Sequence, residues 1–184
     1  MKAGVAAICV GVVLLVGRPA AAEGAPEAPK PGASEGFNPF EQFRWYVGVG
    51  ATHPVGALST LSDSNIALRL SATFDLSPGL ALLLSGGFNQ FTAEPTTTIS
   101  HPRWINGTFG AKLTREITPT VRVYLHGGPG LYLAKEGGFT VGGFLGGGLQ
   151  LPIVGQFRLE MGLDVHVLAS NWQFLTALFG VSFQ

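Results

Sequence analysis

From residue 43 onward the chain alternates apolar and polar side chains with a period of two, in eight successive blocks. Successive side chains of an extended strand point to opposite faces, so this period sorts each block into one apolar and one polar face. Phe43, Trp45, Val47, Val49 and Ala51 share one parity, while Arg44, Tyr46, Gly48, Gly50 and Thr52 share the other. Ile66, Leu68, Leu70, Ala72 and Phe74 oppose Asn65, Arg69, Ser71, Thr73 and Asp75. Ile105, Phe109, Ala111 and Leu113 oppose Asn106, Thr108, Gly110, Lys112 and Thr114. Val121, Val123, Leu125 and Leu131 oppose Arg122, Tyr124, His126 and Tyr132, and Leu159, Met161, Leu163 and Val165 oppose Arg158, Glu160, Gly162, Asp164 and His166. Helical spacing explains these rows poorly. Three further blocks, Leu80 to Phe91, Phe139 to Leu151 and about Gln173 to Phe183, follow the same rule with more Gly or more apolar residues. The sequence predicts eight strands of about 10–13 residues, against the roughly 9–11 that a tilted membrane-spanning strand needs.

The punctuation fits hairpins. Asp75-Leu76-Ser77-Pro78-Gly79 and Glu116-Ile117-Thr118-Pro119-Thr120 repeat one acid-aliphatic-hydroxyl-Pro pattern, and Pro152 to Gln156 makes a third such connection. Pro presets φ, and Gly or Ser tolerates a tight turn. The connections between them, about 54–64, 92–103, 135–138 and 169–172, include longer ones. Short turns at one end and longer loops at the other are the asymmetry of an outer-membrane barrel.

Which face points outward decides the class. A soluble barrel needs a charged exterior, yet only 12% of the chain is charged and the polar rows are rich in Gly, at positions such as 48, 50, 110, 142, 146, 148 and 162. Turned inside out, the pattern is coherent. The apolar rows face hydrocarbon, where a basic group at mid-depth costs roughly 2–4 kcal/mol, and the polar rows fill a narrow lumen. Phe43, Trp45, Phe74, Phe88, Phe139, Phe157, Trp172 and Phe183, near strand ends, are expected to form two interfacial girdles. The expected fold is all-β: an eight-stranded antiparallel up-and-down transmembrane β-barrel over 43–184. The competing architecture is a soluble secreted barrel or sandwich, lipocalin-like in its binding.

The region before residue 43 reads as two segments. Lys2 followed by the apolar run Ala3 to Gly17, the break at Arg18-Pro19 and the triplet Ala20-Ala21-Ala22 read as a signal peptide over 1–22. Residues 23–42, with Pro26, Pro29, Pro31 and Pro39 among Glu, Ala, Gly and Ser, read as a flexible Pro-rich tail. Cleavage removes Cys9, the single cysteine, along with Lys2 and Arg18, which leaves 9 basic against 11 acidic residues. Neither a disulfide framework nor a thiolate zinc site is then possible. A balanced charge without a basic stripe argues against nucleic acid as a partner.

The signal, the Pro-rich lead, the turn "DLSPGLAL" at Asp75 to Leu82 and the terminal strand "FLTALFGVSFQ" resemble the small outer-membrane β-barrel proteins of the opacity-protein kind. The resemblance spans about 43–184. It implies a bacterial outer-membrane location reached by signal-directed export, with membrane lipid and lipopolysaccharide as surroundings. It also implies recognition of the terminal strand by the barrel-insertion machinery through a final aromatic, and here Phe183 is followed by Gln184, a one-residue departure. That group shares no catalytic residues to carry over.

Inward positions hold Arg44, Arg69, Lys112, Arg122 and Arg158 against Asp75, Glu160 and Asp164. An eight-stranded barrel is just wide enough for its side chains, so these charges are expected to pair across a closed lumen as a structural network rather than line a pore. Two candidate chemistries are weak. His166 and Ser170 faintly resemble the pair of an outer-membrane lipid A deacylase, but four residues of strand put them about 13 Å apart. His53 and His101 lack the carboxylate row that a metal site wants. Asn106-Gly107-Thr108 is a glycosylation sequon only in letters, since it falls mid-strand. No catalytic residue, cofactor or metal is expected. The functional reading is a structural or surface-interaction barrel of the cell envelope, with a narrow, porin-like channel for small or apolar solutes as the alternative.

Overall fold

A computed structural model describes residues 43–93, 103–135 and 138–184. The segments read as signal peptide and tail lie outside the described residues, as does His101. The strands are β1 (Phe43–Gly56), β2 (Ser62–Asp63), β3 (Asn65–Ser77), β4 (Leu80–Gln90), β5 (Thr92–Ala93), β6 (Arg103–Thr118), β7 (Val121–Ala134), β8 (Phe139–Val154), β9 (Phe157–Leu168) and β10 (Trp172–Phe183). Eight of them close into one barrel in the order β1-β10-β9-β8-β7-β6-β4-β3, and every neighbouring pair is antiparallel. This is the up-and-down barrel that the alternation predicts.

The register fixes the barrel's dimensions. Stepping between paired residues from Leu149 leads through Met161, Phe179, Val49, Leu68, Phe88, Ile105 and Leu133 to Phe139, ten residues from the start on the same strand. A shear of ten over eight strands, with ordinary strand spacings, tilts the strands by roughly 40° and sets a backbone radius of about 8 Å. Every residue on this circuit is apolar, and every one is on the outward face. A second circuit, Leu151, Leu159, Val181, Val47, Leu70, Gly86, Gly107, Leu131 and Val141, meets only apolar residues and Gly. Outward Leu163 and Leu125 are 52% and 62% exposed, whereas inward Thr108 is 3% exposed.

The barrel strands run from 11 to 16 residues, longer than expected for β1 and β7 by one residue and for β6 and β8 by three. The extra length lies partly at the turn end, where each hairpin carries a register shift just before its turn, at Asp75/Ser77, Glu116/Thr118 and Pro152/Val154. Such bulges bend and twist a strand where pairing ends. Gly79 sits at φ 86, the left-handed conformation that a Pro-Gly turn of type II demands. Pro152 is not part of the third turn as expected; it remains within β8, beside the bulge, and Gly155-Gln156 alone link β8 to β9.

Two of the connections at the opposite end carry structure of their own. Ala57–Thr60 form a 3-10 turn, and β2 pairs with β5. These pieces span two to four residues, too short for any period to register. The girdle is present at the turn end, where Phe43 packs on Trp45 and Phe74, and Phe157 on Phe183. Trp172 departs from the expectation. It packs edge-on against Trp104 at 5.4 Å, beside the buried cluster at the loop end of the lumen. Its parity is that of inward Phe174 and Thr176, so it could not join an outward ring.

Candidate functional site

The polar rows meet inside the barrel and are ordered in tiers. Lys112 on β6 reaches Glu160 on β9, with Nζ 2.8 Å from Oε2, and Gln150 donates from Nε2 to the other oxygen of Glu160 at 2.7 Å. The Lys112 ammonium also lies 4.3 Å from the centroid of the Tyr124 ring, close enough for a cation–π attraction. Next toward the loop end, Arg69 on β3 is paired with Asp164 on β9, and His126 Nε2 is 2.6 Å from the second oxygen of that carboxylate. Asp164 and Glu160 are 1% and 3% exposed. A carboxylate has two oxygens to satisfy, and here each one of both acids has its own donor or cation.

Above this tier the interior becomes aromatic. The His166 ring lies stacked between Phe144 and Phe174, with centroids at 6.1 and 4.4 Å. Its Nδ1 is 2.9 Å from the Tyr132 hydroxyl and its Nε2 is 3.5 Å from Arg69. Leu58 of the 3-10 turn, Phe91, Trp104, Leu168 and Phe174 then form a buried apolar cluster with Tyr132 that stops the lumen at the loop end. Between these layers, Ser85 bonds Thr108 and Asn89 donates to Asn106.

Small residues on the inner face make this packing possible. A Cβ on Gly162 would collide with the Tyr124 hydroxyl, and one on Gly146 would collide with the Asp164 carboxylate and crowd His126. The Gly-rich polar rows are thus the complement of a few large inward side chains. The space between Arg44, Arg69, Lys112, Tyr124, Glu160 and Asp164 amounts to about 20 Å³, room for one water molecule, and the lumen widens toward the turn end between Arg44, Thr73, Lys112 and Arg122.

The eight charges singled out by sequence divide into two groups. Arg69, Lys112, Glu160 and Asp164 come together in the buried middle. Arg44 and Asp75 pair at 3.2 Å at the turn end, where the Asp75 carboxylate is open to solvent. Arg122 pairs at 3.2 Å with Glu116, a partner that sequence reasoning left in the turn. Arg158 is half-buried at the same mouth, and its charge feels those of Arg122 and Arg44. The roles of His126 and Gln150, and the apolar plug, were also missed. One signal was legible: Leu168 and Phe174 are large apolar residues on the polar parity of β9 and β10, and both lie at the loop ends of their strands.

His166 and Ser170 are not brought together. The two ring nitrogens of His166 meet Tyr132 and Arg69, while Ser170 is exposed in the turn after β9. His53 bonds the Ser64 hydroxyl at 2.5 Å. Among the described residues no group of three or more His, Cys, Asp or Glu is placed to hold a metal ion.

No protein-family model and no curated sequence matches the chain. Solved structures do match in fold. Neisserial surface protein A is similar with a TM-score of 0.64 at 15% identity, over 77% of this chain and 96% of that one. The outer membrane protein OprG of Pseudomonas aeruginosa matches with a TM-score of 0.59 at 9% identity, over 78% and 96%. Ail, the attachment invasion locus protein of Yersinia pestis, matches with a TM-score of 0.55 at 16% identity, over 77% and 96%. At these identities the likeness is one of fold, and the fold is that of the small eight-stranded outer-membrane barrels.

Proposed function

We propose that the chain is an integral outer-membrane barrel, delivered by the signal at 1–22, that acts as a structural or surface-interaction element of the cell envelope and carries no chemistry of its own. The observation that supports this most is the outward face, where a complete circuit of the barrel meets only apolar side chains while the acids and their cations lie inside. Such an exterior suits hydrocarbon, and among the described residues the interior is filled by paired charges and stacked rings rather than opened for a lipocalin-like ligand. Two of the similar structures bear the names of a surface protein and an attachment protein, which agrees with a role for the loop end. The short turns and the start of β1 share the other end, which in this reading faces the periplasm.

Cysteine placed at Ser59, in the 3-10 turn, is expected to react with an impermeant maleimide on intact cells, whereas cysteine at Ser77 reacts only after the membrane is opened. The mature chain has no other thiol to obscure the result. Labelling at Ser77 and protection at Ser59 would overturn the orientation. The channel reading makes a different forecast. With a stacked His166 and an apolar plug across the loop end of the lumen, the folded protein is expected to give no steady conductance step in a planar bilayer. A stable, voltage-independent step from the heat-modifiable form would restore the channel.

A further inference from the structure

The outward face of β6 carries two arginines, Arg103 at its loop end and Arg115 near its turn end, with Ile105, Gly107, Phe109, Ala111 and Leu113 between them. Twelve residues of a strand tilted by roughly 40° rise about 30 Å along the barrel axis. An outer-membrane barrel's apolar band is about 25 Å tall, so the two guanidinium groups stand just beyond its opposite edges, at headgroup level. Their surroundings differ. Arg103 lines a surface groove with Phe88, Ile105, Leu133 and Lys135, and the Lys135 backbone N–H donates to the Arg103 carbonyl at 3.0 Å, which pairs the two residues across neighbouring strands. Arg103 Nε is buried, and among the described residues no acceptor reaches it. No carboxylate among the described residues forms an ion pair with Arg103 or Lys135.

We propose that this groove is a binding site for a phosphorylated lipid of the outer leaflet, the lipid A moiety of lipopolysaccharide. The inference rests on the outer-membrane reading and deepens it. An arginine and a lysine that line one groove, with no acid paired to either among the described residues, form a receptor for a phosphate, which the planar guanidinium can take with two parallel hydrogen bonds. Phe88, Ile105 and Leu133 lie directly below on the apolar band, where an acyl chain of the same lipid would run. The order, cations above and apolar side chains beneath, is the order of phosphate and acyl chain in a lipid. The groove lies at the loop end, and so in the leaflet where lipid A resides.

The test uses the mature, refolded protein in phosphatidylcholine nanodiscs doped with diphosphoryl lipid A, with its dephosphorylated form, or with phosphatidylglycerol, and counts lipid retained on the released protein by native mass spectrometry. Wild type is expected to retain diphosphoryl lipid A in preference to the other two. The double variant Arg103→Gln/Lys135→Gln is expected to lower that retention by on the order of tenfold, from the loss of two cations at the headgroup level. Arg115→Gln, at the opposite edge, leaves it unchanged. Equal retention by wild type and the double variant, or indifference of wild type to the lipid A phosphates, overturns the site. Equal retention of phosphatidylglycerol overturns the assignment to lipid A. Failure of wild type to enter nanodiscs as a heat-modifiable species would instead sink the membrane reading beneath it.

Discussion

Replacing Asp164 with Ala is expected to destabilise the folded barrel by about 3–5 kcal/mol, the cost of leaving a buried charge without its partner. Asp164 is the shared acceptor of the central tier. Its two oxygens hold Arg69 and His126, and all three side chains are less than a tenth exposed. Without the carboxylate, Arg69 loses its ion-pair partner, and the other buried acid, Glu160, is already held by Lys112 and Gln150. The guanidinium cannot give up its proton to escape the penalty. Urea titration of the refolded protein in detergent or lipid reads the loss as a lower unfolding midpoint. The double variant Arg69→Met/Asp164→Leu should recover most of it, because an intact buried pair is worth little against apolar groups that fill the same space. A single variant as stable as wild type would remove the network from the account of stability.

Leu163→Arg is expected to cost roughly 2–4 kcal/mol, for a different reason. Leu163 is near the middle of β9 and paired with Gly147 and Ala177, with its side chain on the outward face. An arginine there stands in hydrocarbon. The penalty depends on depth, so the same substitution at Phe157, at the turn end of β9, is expected to cost only about 0–1 kcal/mol. Gly162→Arg, one residue away, turns inward and must displace the Tyr124 hydroxyl. Its cost comes from steric crowding and is not relieved by moving the substitution toward an interface. A flat response to depth along 157, 159 and 163 would contradict a lipid-facing row.

Much of this was legible in the sequence, because a strand's side-chain period is strict and short. The alternation in β1, β3, β6, β7 and β9 assigned inward and outward faces residue by residue, and the eight-strand count followed from where the alternation broke at Pro and Gly. What stayed hidden depends on register between strands. Nothing in the chain's order says that Asp164 meets both Arg69 and His126, since those contacts span 95 and 38 residues. Nor does it say that Gly146 is glycine because Asp164 and His126 occupy its side-chain space. Trp172 shows the opposite failure. Its place near a strand end suggested the girdle, although its parity with Phe174 already pointed inward. The plug formed by Leu58, Phe91 and Trp104 depends on how irregular connections fold back, and those have no period to read.

The most direct test of the central claim is oxygen accessibility of nitroxides placed one at a time along the two faces in lipid-reconstituted protein. Oxygen partitions into hydrocarbon, so labels at Leu70, Leu125 and Leu163 are expected to show strong oxygen relaxation and weak relaxation by a polar reagent such as a nickel chelate. Labels at Thr73 and Thr108, whose side chains are buried in the lumen, are expected to be shielded from both. The reverse pattern, with 73 and 108 exposed to oxygen and 70, 125 and 163 shielded, would contradict the inside-out barrel and leave a soluble barrel with an apolar interior as the better account.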